Sequence, residues 1–377
     1  MGLFLGACLW TVIVFGFFLP ITAFWEIRGR AKDVGPAPPQ VAPESRTAFD
    51  DLIEPLREIR EVLNTAPRTL EAGPSLIASL GAWMSFWSAL ALFAVIPVGG
   101  IFEFRGVAWS ALLADPQWGL MIAFLAPATA LFGAMLHQVA LRGGSAQGPL
   151  TAWDRRAPLA WLALGASLIP LLLTYGTLRP LAVGLFQDTS FAPPHFEVFP
   201  GLDSIRGVFA AARLPRWGIL LNPLSAALFS CASIFWVGSR SFRGPIPFGK
   251  GSRGPGGFRV ALTLVSARLW LVALSSLFVF LYLGGGAIPA LSQGRMVNWV
   301  SPYFGLGFAQ IICFAVQAVT FCVKWIIVLK FWVMLASRID AWPEGRIEQF
   351  CRRFLIPGAL LDIAMTVFFL IRLGNEA

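Results

Sequence analysis

Long apolar stretches alternate along the chain with short segments rich in charge, proline and glycine. The apolar runs fall at about 3–24, 75–98, 118–140, 157–178, 217–237, 259–284, 305–336 and 353–372. Crossing a hydrocarbon core of ~30 Å takes roughly 20 helical residues, and each run is of that order. Within the runs the apolar positions are continuous instead of alternating, which excludes a transmembrane barrel and predicts eight spanning helices. The expected fold class is therefore an all-α integral membrane protein, one membrane domain over residues 1–377. The first run, "LFLGACLWTVIVFGFFLPITAFW", has neither a basic leader nor a small-residue cleavage site, and reads as a retained helix.

The segments between the runs carry their own pattern. Residues 25–74 open with "EIRGRAKDVGPAPPQVAP", where prolines and glycines forbid regular structure. They close with a stretch that places Phe49, Leu52, Ile53, Leu56, Ile59 and Leu63 at helical spacing among charges, predicting an amphipathic helix over 47–64. Such a helix either lies in the membrane interface or walls a cavity opening at the membrane surface. Pro97 and Gly99 should stop the second helix, and Pro170 should kink the fourth. The glycines at 284–286 are no phosphate loop, since neither a strand nor a Lys-Ser/Thr pair accompanies them. No internal repeat is visible.

Composition agrees with this pattern: 57% of residues are hydrophobic and only 13% charged, which excludes an ordinary soluble domain. The net charge of +9 is first a topology signal. Lys and Arg concentrate in the segments after the first, third, fifth and seventh runs, which places those loops in the cytoplasm and both termini on the outer, periplasmic side of a bacterial inner membrane. The basic residues are scattered over loops and form no nucleic-acid module, so no nucleic-acid partner is expected. Five cysteines without a CxxC pair and two distant histidines, His137 and His195, offer no metal or haem site. Any redox cofactor is expected to reside in partner subunits.

Few charges fall inside the runs, and each is costly in a bilayer. Arg268 in the sixth either snorkels to the cytoplasmic face or pairs with Asp362 or a partner's carboxylate. Lys324 in the seventh either snorkels outward or pairs within the bundle, while Lys330 reaches the cytoplasmic interface. Asp362, the lone acid within a run, fits a helix-packing hydrogen bond in the eighth.

A colinear series of short motifs now adds a family. "VGP" at 34–36, "LIEPLREI" at 52–59, "FAVIPVGG" closing the second run, and "DPQWGLMIAFLAPATALFGAML" in the third resemble landmarks of the H subunit of proton-pumping NADH:quinone oxidoreductase, the subunit numbered 1 in mitochondrial respiratory complex I. So do "LLLTYGTL", "NPLSAALFSCASIF", "RVALTLVSARLWLVALSSLFVFLYLGGG" and "PEGRIEQFCRRFLIPGALLDI", in the same order. Each motif is weak and the series is strong.

The resemblance implies a membrane component that seats the peripheral arm, helps form a quinone chamber and binds no cofactor itself. Quinone would be a substrate, and partner subunits would carry iron–sulfur clusters and FMN. The chamber and docking candidates it points to are Glu26, Arg28, Arg30, Phe49, Leu52, Ile53, Leu56, Arg240 and Arg243, with Arg268, Lys324 and Asp362 as intramembrane charges. The sequence also departs from the family. Where the resemblance implies buried glutamates, this chain has Trp161, Val237 and Ala267, and the loop "RGPIPFGKG" lacks the family's acids. Neither Trp nor Val binds a proton, so a structural paralogue without catalysis stands beside the quinone-oxidoreductase reading. A membrane anchor of a hydrogenase or formate-oxidising complex is a third expectation, and a transporter the weakest.

Overall fold

The computed structural model describes residues 21, 76–96, 102–104, 107–109, 119–142, 156–175, 219, 223–238, 258–288, 291, 293–340 and 344–376. The first apolar run, apart from Ile21, and the amphipathic helix expected at 47–64 lie outside the described residues, as does the loop after the fifth run.

Eight α-helices make up the described architecture: α1 Leu76–Ala94, α2 Gly119–Arg142, α3 Arg156–Tyr175, α4 Pro223–Gly238, α5 Phe258–Tyr282, α6 Gln293–Asp340, α7 Glu344–Phe350 and α8 Ile356–Glu376. A five-residue π-helical turn, Cys351–Leu355, joins α7 to α8 without breaking the rod. One element goes beyond an all-α reading. Between α1 and α2, β1 (Phe102–Phe104) pairs antiparallel with β2 (Val107–Trp109), with Phe102 opposite Trp109 and Phe104 opposite Val107. The apolar–polar alternation of "FEF", followed by Gly106, was its signal in the sequence.

The core is centred on α5, which touches α1, α4 and α6, while α2 rests on α1 and α3, and α3 on α4 and α8. No charge interrupts Leu269–Tyr282, and a helix apolar all round must be buried on every side; 89% of Val265–Tyr282 is covered by the rest of the protein. α6 is the opposite case, with only 28% of Gln293–Ala336 covered. Phe308, Ile311, Val319, Val323, Ile327 and Phe331 stand exposed along it, all at least half accessible. An apolar face of that length is a lipid-facing or partner-facing surface, not one for water. By length and composition, Val265–Tyr282 and Gln293–Ala336 can cross a membrane, with Leu80–Ala94 and Pro223–Trp236 as shorter apolar segments.

In a bilayer the hydrophobic effect does not hold helices together, so close packing and interhelical hydrogen bonds must do so. Both are present. A Cβ on Gly133 would stand 2.6 Å from the Gly81 carbonyl oxygen and 2.9 Å from Met84 Cβ, so α1 and α2 meet at nearly backbone distance. Ser85 of α1 and Ser266 of α5 share a hydrogen bond of 2.7 Å, and Trp270 donates its indole N–H to the Ser85 carbonyl at 3.3 Å. Ser225 of α4 meets the Tyr282 hydroxyl of α5 at 2.8 Å. Around that pair, Phe229, Phe278, Tyr282 and Trp332 form an aromatic cluster with ring centroids 5.1–6.2 Å apart.

Candidate functional site

α5 ends where Leu283-Gly-Gly-Gly begins. Gly284 and Gly285 have φ of 69° and 55°, a region glycine enters without a Cβ penalty. The turn folds back on the helix, with the N–H groups of Leu283 and Gly285 both donating to the Val279 carbonyl, at 3.1 and 3.0 Å. Its own carbonyls therefore point outward together.

Lys324 on α6 uses them. Its ammonium donates to the carbonyl oxygens of Leu283, Gly285 and Ala287 at 2.8, 3.0 and 2.7 Å, which spends all three of its protons. The carboxyl end of a helix carries partial negative charge, so a cation there is favoured. Of the two alternatives for Lys324, inward pairing is the one observed, and its partner is backbone. Lys330, less than two turns on, is exposed.

Arg268 corrects an expectation. It does not snorkel to the surface: it is 7% exposed, at the level of the Ser85–Ser266–Trp270 contacts between α1 and α5. Asp362 is 3% exposed and lies on the inner stripe of α8 with Ala359 and Thr366, all buried at helical spacing. Thr366 donates to the Asp362 carbonyl at 2.9 Å. The Asp362 carboxyl acts electrostatically on Tyr282 at the end of α5. Arg268 lies fourteen residues earlier on that helix, roughly 21 Å along its axis. Both charges are buried within the bundle.

Of the other sequence candidates, Glu26, Arg28, Arg30, Phe49, Leu52, Ile53, Leu56, Arg240 and Arg243 lie outside the described residues. Sequence reading passed over the serines. Ser85, Ser225, Ser266 and Ser275 all bridge helices, and their signal was small hydroxyls inside otherwise apolar runs. It also passed over Gln317, buried to 1% on α6 with its Oε1 unpartnered among the described residues. No group of three or more His, Cys, Asp or Glu side chains that could hold a metal ion occurs among the described residues.

Apolar helices cemented by buried serines, a tryptophan-rich core and an outer face of bare hydrocarbon define a helical membrane protein. No family model matches the chain. It is similar to the H subunit of NADH-quinone oxidoreductase from Bdellovibrio bacteriovorus, 24% identical over 302 residues that cover 75% of this chain and 73% of the relative. At that identity the similarity is a distant one. The fold is shared with a chain of the membrane-bound sulfane sulfur reductase, an archaeal respiratory membrane complex: the TM-score is 0.54 at 16% identity, over 97% of this chain and 100% of that one.

Proposed function

We propose that this protein is the membrane component of a complex I-type NADH:quinone oxidoreductase on which the peripheral arm sits and against which quinone binds. The observation that carries the reading is the similarity to the Bdellovibrio relative, which runs through about three quarters of both chains. A fold shared from end to end with a chain of a respiratory membrane complex supports it.

In this reading the chain crosses a bacterial inner membrane eight times with both termini outside. Glu26, Arg28, Arg30, Phe49, Leu52, Ile53, Leu56, Arg240 and Arg243 contribute to the quinone chamber and to docking of the peripheral subunits. Apolar walls hold the quinone's isoprenoid tail. The chain holds no cofactor, and the iron–sulfur clusters and flavin belong to partners. Basic loops suit an acidic peripheral partner or anionic lipid, because complementary charge favours encounter and register.

One observation favours a second reading, a structural paralogue that has lost proton transfer. Trp161, Val237 and Ala267 occupy positions where the resemblance implies acids, and none of the three can carry a proton. An anchor for a hydrogenase or formate-oxidising complex would keep the same seat for a different arm.

The test is purification of the tagged protein at native expression in mild detergent, with mass spectrometry of the intact complex and an NADH:quinone assay. Iron–sulfur and flavin subunits that co-purify with inhibitor-sensitive quinone reduction support the first reading. Hydrogenase subunits, or a complex without that activity, would replace it.

A further inference from the structure

The Lys324 ammonium is held as a small cation is held. Three carbonyl oxygens from alternate residues of one turn, Leu283, Gly285 and Ala287, converge on a single nitrogen at 2.7–3.0 Å. They lie at the negative end of a helix that is 89% buried over Val265–Tyr282. Rings of backbone carbonyls replace the hydration shell of monovalent cations. The spacing is too long for Mg²⁺ at roughly 2.0–2.1 Å or Ca²⁺ at roughly 2.3–2.6 Å, and it suits ammonium or potassium.

A second observation points the same way. Gln317 lies on α6 two turns before Lys324, hence on the same face. Its backbone packs against the turn so closely that a Cβ on Gly286 would fall 2.5 Å from its carbonyl oxygen. Its side-chain Oε1 is buried without a partner among the described residues. The residue whose backbone closes on this turn thus also carries an unmatched buried acceptor, which is expensive unless a positive charge is near.

We propose that the Leu283–Ala287 turn, with Gln317 beside it, is a monovalent-cation site whose resident cation is the tethered Lys324 ammonium, so that free ammonium or potassium enters when that side chain is shortened. Lysine at this position then replaces a diffusible ion by a permanent one, and makes the junction of α5 and α6 independent of the ionic medium. The site is built wholly from this chain and stands whether or not the quinone-oxidoreductase reading does.

The experiment is chemical rescue of Lys324→Ala in the full-length protein in detergent, followed by its thermal unfolding midpoint. Ammonium, potassium or sodium chloride is titrated, with choline chloride as the control for ionic strength. The midpoint of Lys324→Ala should fall, and ammonium and potassium should restore most of the loss saturably while choline does not. Wild type should show no such response. Neither should Lys324→Arg, whose planar guanidinium fills the space without making three convergent bonds. Should Lys324→Ala not survive extraction, the yield of folded protein extracted in ammonium against choline gives the same reading. Equal effects of choline, rescue of Lys324→Arg, or no rescue by any cation would each overturn the proposal.

Discussion

Trp325 of α6 donates its indole N–H to the Ser275 hydroxyl of α5 at 2.8 Å, and Ser275 in turn donates to the Leu271 carbonyl one turn back at 2.6 Å. Trp325 is fully buried, so this chain of bonds satisfies a donor that has no access to water. Ser275→Ala should therefore cost about 1–3 kcal/mol, the usual penalty for an orphaned buried group. Adding Trp325→Phe should return part of that loss, because the orphan goes with it. Unfolding of the purified variants in mixed detergent measures both.

The contact of α1 with α2 rests on absent side chains. Gly133→Ala must displace either the Gly81 backbone or Met84, and it should lower the unfolding midpoint by several degrees, roughly 1–3 kcal/mol of overpacking. Gly294→Ala, where a Cβ meets nothing within 4 Å, is the matched control and should be neutral or slightly stabilising.

Ser225 and Tyr282 tie α4 to the end of α5. A double-mutant cycle of Ser225→Ala and Tyr282→Phe should give a coupling of about 0.6 kcal/mol, the average for buried bonds between membrane helices. A coupling near zero would mean that the aromatic cluster of Phe229, Phe278 and Trp332 alone holds this corner.

Charge reversal tests the docking face. In the proposed complex, Arg240→Glu with Arg243→Glu should lower recovery of peripheral subunits on the order of tenfold, since like charges across an interface cost several kcal/mol. Added salt should weaken wild-type docking by screening the same charges. Native gels after extraction at graded ionic strength give the readout.

The apolar period made most of this fold legible. A segment such as "LWLVALSSLFVFLY" has no alternative to a buried helix, and α5 is one. The hairpin Phe102–Trp109 was less legible, because three-residue strands give too few alternations to outweigh their surroundings. Side-chain destinations were least legible of all. Arg268 looked like a surface-seeking arginine because its position along α5 was visible in the sequence, whereas its burial in the bundle was not. Lys324 looked ambiguous for a related reason: its partners are backbone carbonyls, which every residue has and no pattern advertises. Gly284 and Gly285 were the one clue, since a run of glycine after an apolar helix frees carbonyls to gather.

Gly305 interrupts α6 with φ 76° and ψ 161°, a conformation that is essentially glycine's alone, although a Cβ there would touch nothing. The twelve residues before it carry Trp299 and Tyr303, more than 80% exposed. Those rings suit the headgroup layer, where aromatic belts anchor membrane proteins. The bearing of that whole arm is thus written in a single backbone torsion. An alanine at 305 would crowd no neighbour, yet it could hold that torsion only under strain, so the heading of the arm that carries both rings depends on one residue with nothing around it.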